Sequence, residues 1–115
     1  MQLSSRELGS VRVIAVQGRL DHANAPGFEA ALLPQLGACE AAGMPLVLDF
    51  SGVSYISSVG LRVLMLAAKQ VKTQQGRIAI AALTPIVAEI FQVSHFDMVL
   101  QVFQDVATAA TALQQ

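Results

Sequence analysis

Charge is scarce in this sequence. Charged residues occupy 13% of the 115 positions, against about 25% in an average globular protein, while hydrophobic residues reach 54%. Little of the surface is guarded by charge, so part of it is expected to be apolar and open to a partner. The formal net charge of −1 argues against the clustered Lys and Arg of a nucleic-acid footprint, and no direct nucleic-acid contact is expected. The lone cysteine, Cys39, can form no internal bridge and reads as a small buried hydrophobe in a reducing compartment. No N-terminal stretch joins a basic start to an apolar run, so no signal peptide is expected. No apolar run approaches the roughly 20 residues that cross a bilayer. A cytoplasmic protein without membrane insertion is expected.

Catalytic and cofactor motifs are missing too. Neither the P-loop nor the dinucleotide fingerprint occurs, and no Gly-x-Ser-x-Gly elbow supplies a nucleophile. His22 and His95 lie far apart, with no acid or thiol at metal-ligand spacing, and read as ordinary loop histidines. The expectations are no enzyme, no cofactor and no metal.

What is present is a single alternating pattern over residues 1–115, long enough for a core without staples. Leu3 to Glu7 and Val11 to Gln17 read as two strands around a Gly9-Ser10 turn. Gly18-Arg19-Leu20-Asp21 leads to a helix that Asp21 or Asn24 could cap, with Pro26 in its first turn. Phe28, Ala31, Leu32, Leu36 and Cys39 recur at helical spacing, Pro34 should kink or split the helix near Leu33, and Gly43 should end it. Pro45 to Phe50 reads as a buried strand, Ser51 to Ser57 as a loop, and Ser58 to about Gln75 as a helix stopped at Gly76. Arg77 to Ala82 is a further strand. Thr84-Pro85 opens a helix with Ile86, Val87, Ile90 and Phe91 on its apolar face. Ser94 to Asp97 is a loop, Met98 to Phe103 a last strand, and Asp105 caps a final helix, Val106 to Leu113. Such alternation predicts an α/β domain: a mostly parallel sheet of four to five strands with about four helices.

The chain is organised around Asp49-Phe50-Ser51-Gly52-Val53-Ser54-Tyr55-Ile56-Ser57-Ser58-Val59-Gly60-Leu61-Arg62. An apolar strand enters it and a helix leaves it, so its two adjacent hydroxyls stand at a helix N-terminus. Unpaired N–H groups and a partial positive charge collect there, where a phosphate finds donors already aimed at it. Ser57, directly before the periodic part, is the better cap; that leaves Ser58 to be modified. The bland account is that both serines merely cap.

Asp49, Ser51, Val53, Ile56, Ser58, Gly60, Leu61, Val63 and Leu64 resemble the signature of the STAS family, the sulphate transporter and anti-sigma factor antagonist domains. Gly18-Arg19-Leu20-Asp21 resembles the family's Gly-x-Leu-Asp. The family loop usually reads Asp-Ser-Ser/Thr-Gly-Leu, so Ser57 stands where Asp is common and Val59 where Ser or Thr is common. The resemblance implies a STAS-like domain of the bacterial anti-sigma factor antagonist type. Its partner would be an anti-sigma factor that is itself a GHKL-type serine kinase, and phosphorylation would end the binding and so regulate transcription. Ser58 is the implied phosphorylation site, with Ser57 the alternative. The implied partner surface comprises Asp21, Ser57, Ser58, Gly60, Arg62, Met65 and Lys69 on an expected monomer. Asp21 could orient the serine hydroxyl or simply cap a helix. Arg62, Met65, Lys69 and Lys72 share one side of the helix, opposite Leu64, Ala67, Ala68 and Val71. The rival implication of the family is a STAS accessory subunit of an ABC-type lipid transporter, bound constitutively to its ATPase.

Overall fold

The computed structural model describes residues 3–114. Two strands open the chain, β1 (Leu3–Leu8) and β2 (Val11–Leu20). They are followed by α1 (Ala25–Leu32) with a short 3-10 turn (Leu33–Leu36), β3 (Leu46–Ile56), α2 (Ser58–Thr73), β4 (Ile78–Ala81) and α3 (Pro85–Val93). A 3-10 turn (Phe96–Met98), β5 (Gln101–Phe103) and α4 (Val106–Leu113) complete it. The five strands lie in chain order in one sheet. β1 runs antiparallel to β2 across the tight hairpin, and β2 to β5 are mutually parallel. The expected α/β architecture is thus found.

Strand alternation divides the core between the two faces of the sheet. Ile14, Val16, Leu46, Leu48, Phe50 and Ile80 pack beneath α1, α2 and α3, with Phe28, Leu64, Val87 and Phe91 coming from those helices. Phe28 meets Phe50 edge to face, with ring centroids 6.5 Å apart. Val11, Val13, Val47, Ala79 and Ala81 face the other way, against Ala109, Ala110 and Leu113 of α4. Right-handed crossovers between successive parallel strands place the three connecting helices on one side. Among the described residues, α4 covers the other.

The structure moves several expected boundaries. β2 continues through Gly18, Arg19 and Leu20, and β3 continues to Ile56. The expected loop from Ser51 is therefore strand, paired with β2 up to Leu20↔Ile56. Two register shifts in that pairing, Ala15/Gln17 and Gly18/Arg19, disturb the period-two pattern that sequence reading depends on. Gly18 takes the second shift with φ +107°, which favours glycine. The first helix ends at Leu32 and tightens into the 3-10 turn at Pro34, as the proline demands. Gly43 ends no helix, because residues 37–45 are irregular.

The stop after α2 is a Schellman turn: Gly76 N–H reaches Val71 O at 2.9 Å and Gln75 N–H reaches Lys72 O at 3.0 Å. The left-handed residue is Gln75 (φ 60°). Gly76 is needed for space, since a Cβ there would lie 2.2 Å from Cys39 O. Thr84 is the N-cap of α3, as expected, but its side chain makes no cap bond; its hydroxyl donates to Val53 O at 2.9 Å instead. Ile86, expected on the buried face of α3, is 57% exposed, while Val87 and Phe91 are buried. The final strand begins at Gln101, because Phe96–Met98 forms a 3-10 turn.

Candidate functional site

The longer β2 and β3 build a platform that the sequence pattern hid. β4 pairs with β3 only from Leu46 to Asp49. Beyond Asp49, β2 and β3 run on together past the rest of the sheet, and α2 starts directly from the tip of β3. Asp49 stands at the branch, where its carboxylate accepts from Ser51 N–H at 3.0 Å.

Ser57 and Ser58 part company at this tip. Ser57 has extended backbone (φ −92°, ψ 174°) and is the N-cap of α2. Its hydroxyl accepts from Gly60 N–H at 3.3 Å and donates to Leu20 O at 3.0 Å. Its own N–H donates to the same carbonyl at 2.9 Å. Ser57 is only 8% exposed, and its hydroxyl is fully engaged in tying the helix start to the end of β2. Ser58, the first residue of α2, is exposed. Helix geometry leaves the N–H groups of Ser58 and Val59 without an intrahelical carbonyl. A negative charge on the Ser58 side chain would meet those donors and the positive end of a helix of 16 residues.

Gly60 was expected to belong to a partner surface, but it is buried. A Cβ there would lie 2.8 Å from both Leu20 O and Ile56 Cγ1. Glycine at this position lets α2 approach the β2 terminus closely enough for the Ser57 contacts to form, and it presents no side chain outward.

Asp21 follows Leu20 directly and so lies one residue from the Ser57 anchor. Its carboxylate accepts from Asn24 N–H at 3.1 Å and faces the Arg19 guanidinium at 3.6 Å. Asn24, not Asp21, is the N-cap of α1, and its side chain makes no cap bond; it donates to Arg19 O at 2.8 Å. The Arg19 guanidinium lies 4.6 Å from the ring centroid of Tyr55, its register partner on β3. Sequence reading assigned no role to Arg19 or Tyr55. They meet through strand pairing across residues of loop-like composition, which only the register reveals. Asp21, Arg19 and Tyr55 thus form a polar cluster at the tips of β2 and β3, the end of the sheet from which α2 sets out with Ser58.

Along α2, Arg62, Met65, Lys69 and Lys72 are exposed, with Met65 at 39%, while Val63, Leu64, Ala67 and Val71 are buried. The expected outward stripe is present and leads away from Ser58. Among the described residues no helix is long and apolar enough to cross a membrane.

The comparisons with known proteins agree with this architecture. BtrV of Bordetella bronchiseptica, whose name proposes an anti-sigma factor antagonist, is 35% identical over 114 residues, covering 99% of this chain and 96% of its own. The crystal structure of an anti-sigma factor antagonist from Mycobacterium paratuberculosis superposes with a TM-score of 0.86 at 23% identity, over 99% of this chain and 94% of that one. The anti-sigma factor antagonist SpoIIAA, solved in its unphosphorylated form, gives 0.67 at 19% identity, over 88% and 87%. The family profile described as the STAS domain matches residues 2–109, and with it the chain belongs to the STAS domain family.

Proposed function

We propose that this protein is an anti-sigma factor antagonist, a cytoplasmic and non-enzymatic binding module. Its partner would be an anti-sigma factor that is also a GHKL-type serine kinase, and phosphorylation of Ser58 would end the association. One observation carries the reading. Of two adjacent hydroxyls, Ser57 is buried and spent on both of its hydrogen bonds, whereas Ser58 is exposed at a helix N-terminus. The likeness to BtrV over nearly the whole chain supports the functional class.

The physical logic separates binding from folding. A phosphoserine adds about −1.5 to −2 charges. The start of α2 offers that charge free N–H groups, so the domain tolerates it. A partner packed against Asp21, Ser58 and Arg62 meets a new, strongly hydrated group in its path and loses affinity. The buried Ser57 would need α2 to lift from Leu20 before a kinase could reach it, which makes Ser58 the acceptor of choice.

Incubation with the candidate kinase and Mg-ATP, followed by fragment mass mapping, tests this. One phosphoryl group is expected on Ser58, retained in Ser57→Ala and absent in Ser58→Ala. Ser58→Asp is expected to weaken kinase binding by about tenfold or more, which is about 1.4 kcal/mol. Phosphate on another residue, or none, would overturn the assignment. Equal binding of wild type and Ser58→Asp to an ATPase subunit would instead favour the transporter accessory role.

A further inference from the structure

Positive charge is unevenly distributed along this chain. Between Phe50 and Ala88 there is no Asp or Glu, but there are four cations: Arg62, Lys69, Lys72 and Arg77. The remaining residues hold three arginines against all eight acids. Three of the four cations lie at the end of the molecule remote from Ser58. There the last turns of α2, the start of β4 and the 3-10 turn before β5 enclose an open groove of about 620 Å³. Lys69, Lys72 and Arg77 line it beside Met98, Val99 and Gln101.

Nothing in the described structure neutralises these cations. Among the described residues the ion pair within 4 Å is Arg19 with Asp21, elsewhere on the molecule. Asp97 precedes Met98 but does not line the groove. The C-terminal ends of α2 and of α4, whose last residue Leu113 also lines the groove, contribute only about half a negative charge each, against three full positive ones. The same groove displays apolar surface: Met98 is 85% exposed and Val99 38%.

We propose that this groove, which shares only Lys69 with the expected Ser58 partner surface, is a docking site for an acidic polypeptide segment carrying an apolar side chain and is indifferent to Ser58 phosphorylation. Charge complementarity selects an acidic occupant, and Met98 with Val99 provides a seat for its apolar residue. A polypeptide fits better than a compact anion because the cations are spread along a helix and a strand start around an open trough. They do not converge on one point.

Distance supplies the independence. Lys72 lies fourteen residues after Ser58 on one helix, which is about 21 Å. That exceeds twice the Debye length of about 8 Å at physiological ionic strength, so the charge of a phosphoserine is screened out before it reaches the groove. The protein then has two faces on one helix. A switchable one at the start of α2 releases its partner, and a constant one at the end keeps an acidic segment in place.

The probe is a short synthetic peptide of Asp and Glu around a central leucine, titrated into the full chain and followed by amide chemical-shift mapping. Shifts are expected at Lys69, Lys72, Arg77, Met98 and Val99, and affinity should fall as salt rises. Lys72→Glu with Arg77→Glu should weaken binding at least ~10-fold, Met98→Ser should weaken it less, and Ser58→Asp should leave it within about twofold. These residues are exposed, and the same spectra report whether each variant is folded. Shifts centred on Ser58, an unchanged affinity in the double variant, or tighter occupancy of these amides by inorganic phosphate or by phosphatidylserine vesicles than by the peptide would each overturn the proposal. The kinase assay on Ser58 is read separately, so either idea can fail without the other.

Discussion

Adjacent residues of one type are given opposite fates here by where the chain points them. Ser57 ends an extended strand and turns its hydroxyl back to Leu20 O; Ser58 begins the helix and faces solvent. Gly60 makes this possible by leaving room against Leu20 and Ile56. Chemical denaturation should rank three substitutions accordingly. Ser57→Ala loses a cap and is expected to cost about 1 kcal/mol. Gly60→Ala forces a methyl against a backbone carbonyl and should cost about 1–3 kcal/mol. Ser58→Ala should stay within about 0.5 kcal/mol of wild type. Equal costs for Ser57→Ala and Ser58→Ala would contradict the division of labour between them. Cys39 behaves as a core residue: it is 4% exposed and donates to Arg77 O at 3.2 Å. Burial pushes its thiol above the ordinary cysteine range, which keeps it protonated and unreactive.

Among the elements, α4 is held at its start by a single side chain. It is short, rich in Ala, and capped by Asp105, whose carboxylate accepts from Thr108 N–H at 2.7 Å. Hydrogen bonding from the Thr108 side chain, and then from its backbone N–H, holds the Asp105 carboxyl below the usual range. A carboxyl whose value is lowered by folding stabilises the fold above its unfolded value of about 3.9. That contribution disappears as pH falls through the lower folded value. Amide exchange in α4 is therefore expected to accelerate, relative to α2, as pH drops below about 4. In Asp105→Ala it should already be fast at neutral pH. Exchange in α4 that tracked α2 at every pH would remove the cap from the account. The element the sequence misrepresented most is β3. Its outer half follows no clean alternation, because two register shifts re-aim its side chains, and Ser51, Gly52 and Ser54 look like loop composition. Only pairing with β2 makes that stretch a strand.

For the whole molecule, a net charge near zero conceals a strongly positive α2 face set among acidic surroundings. A polarised surface of this kind steers encounter with a negatively charged partner and acts mainly on the association rate. Arg62 is exposed, one turn from Ser58, and Arg62→Glu should slow kinase association by about threefold to tenfold at low salt. The difference should shrink as salt shortens the Debye length. A rate equal to wild type at low salt would take Arg62 out of the docking surface. The layered architecture also explains why the site stands where it does. In an open parallel sheet, groups beyond the carboxyl ends of the strands are free of packing duties, and the tips of β2 and β3 extend furthest in that direction.

The sequence by itself determined the architecture, because strand and helix periods, Pro34, Asp105 and the apolar runs are local signals that tertiary contacts reinforced. It also determined that one of two serines would cap α2, since capping follows from position before an apolar helical run. Tertiary structure alone decided which surfaces face outward together. The β2–β3 platform, the Arg19–Tyr55 contact, the burial of Gly60 and the meeting of Lys72 and Arg77 with Met98 each join residues distant along the chain. Such juxtapositions depend on register and on the crossing of elements, which no short window of sequence encodes.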